Sequence, residues 1–212
     1  MNNDVEKAWA ELPRKGCREP TCLTVAIAGV IGLALLALIP LFMPPKESAR
    51  RAACPNNLKQ LGMALGSYAE NCGGRLPATL ETLLGEGYLP DSGPLYCPYR
   101  KECAEAFEWA REALDVAHRN GLNPKDTADA VRAAAPSHYI YVQYETVEDM
   151  LGAPVVYDEP RNHKGRRNVL FGDGNVEPIL EKDLARRFAE EAERVPAFKE
   201  YLEKHGIDGA EP

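Results

Sequence analysis

Residues 23–43 read L-T-V-A-I-A-G-V-I-G-L-A-L-L-A-L-I-P-L-F-M, without one charged side chain. As a helix rising about 1.5 Å per residue, the run reaches roughly 30 Å, the thickness of a bilayer's hydrocarbon core. A helix of that length packed on a globular core carries a polar stripe facing water, and this run has none. It is therefore expected to cross a membrane, with a tail of residues 1–22 before it and a polar domain from Lys46 onward. A secretory signal has a shorter apolar stretch and an A-x-A-like site behind it. Here Pro44, Pro45 and Lys46 follow, so a lasting anchor is expected. Arg14, Lys15 and Arg18 precede the run and Lys46, Arg50 and Arg51 follow it, so charge bias sets no orientation.

Past the Pro44-Pro45 step the apolar pattern becomes one-sided. Leu58, Leu61, Leu65 and Tyr68 recur three and four residues apart, which is one face of a helix. Pro55 is expected to kink or restart that helix, and Gly73-Gly74 to end it. Thr79 is a candidate N-cap for a short helix carrying Leu80, Leu83 and Leu84. Cys103, Phe107, Ala110, Leu114 and Ala117 form a further helical stripe closed by Gly121. Asn123-Pro124 reads as an N-cap with proline at the first helical position, opening a helix that ends near Ala135-Pro136.

The period then changes. S-H-Y-I-Y-V-Q (137–143), A-P-V-V-Y-D-E (153–159) and N-V-L-F (168–171) are rich in aromatic and β-branched residues and read as strands. G-D-G-N (172–175) is a tight turn, and residues 176–180 return as a fourth strand. Residues 181–206 are helical again, with Leu184, Phe188, Ala192 and Val195 on one face and Pro196 dividing them. The expected fold class is α+β. An N-terminal transmembrane helix extends into an amphipathic helix packed on a small antiparallel sheet, with extra helices. The expected organisation is a tail (1–22), a transmembrane helix (23–43), a domain (46–180, helical insert 100–135) and a helical tail (181–212).

The net charge of −7 falls on the large domain, because Lys7, Arg14, Lys15 and Arg18 cancel Asp4, Glu6, Glu11 and Glu19 in the leading tail. An acidic domain excludes general nucleic-acid binding. The local cluster Arg161, His163, Lys164, Arg166 and Arg167 reads as a solvated turn. Cys17 and Cys22 lie before or at the start of the apolar run, and Cys54, Cys72, Cys97 and Cys103 after it. Four cysteines in one domain fit an oxidising compartment with three possible pairings, or four buried thiols. No C-x-x-C pair occurs, so zinc is only weakly signalled.

His163, Asp173 and Asp158 are candidate metal ligands, or a base and its orienter. A simpler reading is structural. Asp173-Gly174 is a preferred hairpin turn, and His163 can hydrogen-bond across that loop. His118, His205 and His138 read as surface residues. No Ser-His-Asp order, phosphate loop or H-E-x-x-H motif occurs, so neither enzymatic activity nor a cofactor is expected.

Three stretches in order carry a family resemblance. A-R-R-A-A-C-P-N-N-L-K-Q-L-G (49–62) places Cys54 before Asn57, Leu58, Lys59 and Gln60, with Tyr68 following and Pro40 near the end of the apolar run. L-Y-C-P (95–98) supplies Cys97 and Pro98, and N-H-K-G-R-R-N-V-L-F-G-D-G-N-V (162–176) spaces His163 nine residues from Asp173-Gly174. Together they resemble the prepilin-type, H-x9-DG-domain family of bacterial membrane proteins. The resemblance spans roughly residues 23–98 and 137–179, leaving out the insert and the C-terminal tail.

The resemblance implies a pilin-like fold in the bacterial inner membrane, N-terminus in the cytoplasm and domain outside. It also implies kinship with type II secretion pseudopilins. The implied partners are the lipid bilayer and homologous pilin-like subunits or a secretion machinery. It further implies a Cys54–Cys97 disulfide, with Cys72 and Cys103 as the remaining pair. That bridge is worth roughly 3–4 kcal/mol in the chain-entropy account. The sequence departs from the family at its start. Prepilins begin G-F-T-L-I-E and are cut after the glycine, whereas Gly16 here precedes Cys17, Arg18, Glu19, Pro20 and Thr21. The glutamate that pairs with a neighbouring subunit's amine in filaments is missing from that place. The alternative is therefore an uncleaved anchored domain that binds an extracellular ligand or protein partner. A metal-dependent enzyme centred on His163 is a third reading.

Overall fold

The structure, a computed structural model, describes residues 30–31, 46–160, 162–163 and 165–206. The expected tail (1–22) and, apart from the helical Val30 and Ile31, the expected membrane helix (23–43) lie outside the described residues, as do Arg161 and Lys164. Among the described residues, no helix is long and apolar enough to cross a membrane. The chain divides into two compact units, Met1–Pro45 and Lys46–Pro212.

The second unit opens with helix α1, Lys46–Asn71. Its inner face is Cys54, Leu58, Leu61 and Leu65, all buried, and the spacing that predicted the stripe is the one that packs. Pro55 lies inside this helix, which runs through it as one element rather than restarting. The missing N–H forfeits one hydrogen bond, and burial of the flanking apolar face offsets that loss. Helix α2, Leu80–Gly85, follows with Thr79 at its N-cap, although no side-chain cap bond forms. A 3-10 turn, Gly93–Leu95, leads to helices α3, Cys103–Arg119, and α4, Pro124–Ala134. Asn123 caps α4 as its sequence indicates, accepting from the Asp126 N–H at 2.9 Å.

Four strands then form an antiparallel meander in the order β1 (Tyr139–Tyr141), β2 (Pro154–Asp158), β3 (Arg166–Phe171) and β4 (Val176–Leu180). A one-turn helix α5, Val147–Met150, interrupts the β1–β2 connection, held by a Thr146–Asp149 capping box. Helices α6, Glu181–Arg194, and α7, Pro196–His205, complete the chain, divided where Pro196 predicted.

The register assigns the two sheet faces. Val156 pairs with Leu170 and Leu170 with Val176. Leu170 lies under Gly62 of α1, where an added Cβ would stand 3.3 Å from its side chain. The opposite face carries Tyr157, paired with Val169, and its ring meets Phe188 of α6 at 5.2 Å. The sheet is thus covered on both sides, which is why β2 is buried along its whole length. The C-terminal tail is part of this core: Leu184, Phe188, Phe198 and Leu202 are buried in the same cluster as α1 and the sheet. The insert joins it too, through Ala106, Ala110 and Val131. Fold class is therefore α+β, with α1 on one face of a four-stranded antiparallel sheet and the last two helices on the other.

Candidate functional site

Three segments far apart in sequence converge beneath α1. The helix contributes Cys54, the stretch after the 3-10 turn contributes Cys97, and the β2–β3 connection contributes His163. Cys54 and Cys97 are fully buried and His163 is 5% exposed. The two thiol sulfurs lie 2.7 Å apart. That separation falls between a disulfide bond of about 2.05 Å and the roughly 3.8 Å of two thiolates on one tetrahedral zinc. Cys97 Sγ is 3.7 Å from His163 Nε2. The same nitrogen is 3.5 Å from Asp158 Oδ2.

Asp158, the last residue of β2, is fully buried and is held from several sides. Its Oδ2 accepts from the Asn168 backbone N–H at 2.8 Å and from Asn168 Nδ2 at 2.6 Å. Its Oδ1 accepts from Asn162 Nδ2 at 3.2 Å, an amide that also donates to the His138 carbonyl at 2.6 Å. Two β3 residues apart, Asn168 and Leu170 share the face toward α1, so strand alternation aims the Asn168 amide at the site.

The electrostatics follow from burial and these contacts. The hydrogen bond from Cys54 favours the Cys97 thiolate, and with the His163 contact it overcomes burial and lowers the Cys97 pKa to about 6. The hydrogen bond to Cys97, together with burial, raises Cys54. Burial raises Asp158, and the Asn168 backbone N–H and the His163 charge offset only part of that. Burial opposes protonation of His163, but the Cys97 hydrogen bond and the Asp158 charge outweigh it, so its pKa is raised. The cluster thus favours negative charge on the Cys97 sulfur beside the imidazole, while burial pushes Cys54 and Asp158 toward their neutral forms. Chemically it can be oxidised to a disulfide, or it can hold a soft cation.

Several sequence expectations need correction here. His163 reaches Cys97 and Asp158, not the Asp173 turn. Asp173 lies at the opposite end of β3, exposed, where its Oδ1 accepts from the Asn175 N–H at 2.9 Å. Of the proposed ligands Asp158, His163 and Asp173, only the first two meet. The basic cluster is not simply a solvated turn either. Arg167 pairs with Glu181, its Nε 3.0 Å from both carboxylate oxygens, and His163 is buried. His138 is buried against Tyr96, the ring centroids 5.1 Å apart, while His118 and His205 are exposed as expected. The other motif residues divide by role. Asn57 Nδ2 donates to the Tyr96 carbonyl at 3.0 Å, and Leu58 is buried. Lys59 and Gln60 face solvent, and Pro98 is half-buried behind Cys97. Cys72 lies just past α1 and Cys103 opens α3.

Asn168 and Asn162 were not singled out from the sequence, because their role depends on which strand neighbour they face. A strand-alternation reading of 166–171 could have placed Asn168 on the Leu170 face, but nothing local pairs it with Asp158.

An open groove of about 1130 Å³ beside β1 is lined by Arg75, Arg132, Tyr141, Gln143, Tyr201 and Lys204. The metal-ligating residues that cluster among the described residues lie elsewhere, at Cys54, Cys97 and His163.

No curated protein and no solved structure matches the chain. Residues 43–80, under a fifth of the chain and including all of α1, match the family model described as "Protein of unknown function (DUF1559)", a family of prepilin-like proteins.

Proposed function

We propose that this chain is a membrane-anchored, pilin-like structural protein of a bacterial secretion or surface-assembly system, without enzymatic activity. Residues 23–43 form the single span, the N-terminus is cytoplasmic, and the domain from Lys46 stands outside the inner membrane. The observation that carries this reading is the continuity of its parts. The family match begins where the apolar run ends and continues along α1, which packs on an antiparallel meander. In such a layout homologous subunits are the partners that an anchored helix can assemble with.

Protease applied to spheroplasts tests the topology. The expected outcome is digestion of the domain with the leading tail protected, and a domain that survives until the membrane is lysed overturns the reading. Intact mass and N-terminal sequencing of the membrane protein then separate its two forms. A chain starting at Cys17 supports processing and assembly, whereas a retained tail supports a permanent anchor.

A specific feature favours the second form. Trp109 and Val116, seven residues apart on α3, are 53% and 40% exposed. Exposed Trp109, the larger of the two, is the side chain on the insert that a protein partner would cover. Photo-cross-linking from position 109 in cells is expected to trap a different protein if the chain is a partner-binding anchor, and other copies of pilin-like subunits if it assembles.

A further inference from the structure

The buried cysteine pair is surrounded by more donors than a disulfide can use. Bridging Cys54 and Cys97 employs two sulfurs. It leaves unexplained why His163 points Nε2 at Cys97 from 3.7 Å, and why a carboxylate is held in the same fully buried place. We propose that Cys54, Cys97, His163 and Asp158 form a closed, structural zinc site.

The spacings support a tetrahedral shell. With zinc–sulfur bonds of about 2.3 Å and zinc–nitrogen bonds of about 2.0–2.1 Å, sulfur and nitrogen ligands stand about 3.6 Å apart. The observed Cys97 Sγ to His163 Nε2 distance is 3.7 Å. Nitrogen and carboxylate oxygen on the same ion stand about 3.3 Å apart. The observed His163 Nε2 to Asp158 Oδ2 distance is 3.5 Å. The ligand atoms of Cys54, Cys97 and His163 already lie within 4.8 Å of one another. To accept the ion, the two sulfurs, now 2.7 Å apart, must separate by about 1 Å, and the Asp158 carboxylate must close toward them. A divalent cation also answers the charge of the cluster, where two sulfurs and a carboxylate are buried around one imidazole. The outer shell is already built. Asn168 holds Asp158 through its backbone N–H and its amide, and Asn162 holds the other carboxylate oxygen, fixing the ligand in place as second-shell groups do. Occupied, the site ties α1, the segment after the 3-10 turn and the β2–β3 connection to one ion. It also keeps the sulfurs too far apart to bond to each other.

The test uses the full chain in detergent, reduced under anaerobic conditions and titrated with cobalt(II), which takes zinc's place and is coloured when thiolate-bound. The expected result is one equivalent per chain with thiolate-to-metal charge-transfer absorption, bleached by stoichiometric zinc. An oxidised Cys54–Cys97 pair in protein taken from its own membrane with thiols trapped at lysis overturns the site, because bridged sulfurs cannot hold the ion. Absence of the absorption in the reduced wild-type chain overturns it, and that readout does not depend on any variant folding. Among variants, Cys97→Ser and His163→Ala are expected to lose the band. Asp158→Asn is expected to weaken zinc binding by at least the roughly 10-fold that loss of an outer-shell partner costs, and Cys72→Ser to bind as wild type does. Equal cobalt uptake by Cys97→Ser and wild type also overturns the site.

Discussion

Asn57 shows how one polar side chain can hold a helix to a loop. One turn after Cys54 on α1, its amide donates to the Tyr96 carbonyl at 3.0 Å and to the Gly93 carbonyl at 3.4 Å. Tyr96 in turn is buried and donates from its hydroxyl to the Ala135 carbonyl at 2.7 Å. The amide therefore fixes the backbone that presents Cys97 to Cys54. Removing it leaves part-buried carbonyls without their donor. Asn57→Ala is expected to lower stability by about 1–2 kcal/mol, read as a lower midpoint in thermal unfolding of the full chain in detergent. Asn57→Asp is expected to be at least as damaging, since a carboxylate cannot donate to those carbonyls.

The β3–β4 hairpin needs two glycines for two different reasons. Gly174 has φ +83°, the left-handed conformation a tight turn requires. Gly172 is required by a neighbouring element, because a Cβ there would stand 2.0 Å from the Met150 carbonyl oxygen at the end of α5. Gly174→Ala is expected to cost about 1 kcal/mol, and Gly172→Ala about 1–3 kcal/mol or more because backbone must shift. Comparing their unfolding midpoints checks the order. The C-terminal helices make the same point at larger size. Phe198 of α7 is fully buried and stacks edge-on against Phe188 of α6. Phe198→Ala is expected to cost about 3–5 kcal/mol. A denaturant midpoint unchanged by that substitution would show the tail to be a separate appendage.

Across the whole molecule, tyrosines are concentrated where the layers meet. Tyr139, Tyr144 and Tyr157 are buried, and burial first of all raises the pKa of each well above the ordinary tyrosine value. The folded state thus keeps protons that the unfolded chain releases. For a group raised in this way, stability is complete below its unfolded pKa of about 10 and falls as pH rises from there toward the folded value. Alkaline titration is expected to show these phenols ionising together with loss of circular dichroism, in one cooperative step. Gradual tyrosinate absorbance ahead of unfolding would contradict burial of all three.

Local chemistry made much of the fold legible. The three- and four-residue spacing of Leu58, Leu61, Leu65 and Tyr68 set α1, Asn123-Pro124 set the start of α4, the aromatic and β-branched runs set the strands, and Gly172-Asp173-Gly174-Asn175 set the hairpin. Each depends on near neighbours, and periodicity and turn chemistry are near-neighbour properties. Continuity through Pro55 was not legible, because packing of α1 on the sheet outweighs a local hydrogen-bond defect. Membership of the tail in the core was not legible either, since the second sheet face it covers appears only when the strands have paired. The site divides the same way. Cys54, Cys97 and His163 stood out by residue type and motif, but the exchange of Asp173 for Asp158 as the companion of His163 was decided by which end of β3 each residue occupies. Burial of His138 and the two asparagines that hold Asp158 were decided likewise, because contacts across strands and between distant segments exist only in the tertiary structure.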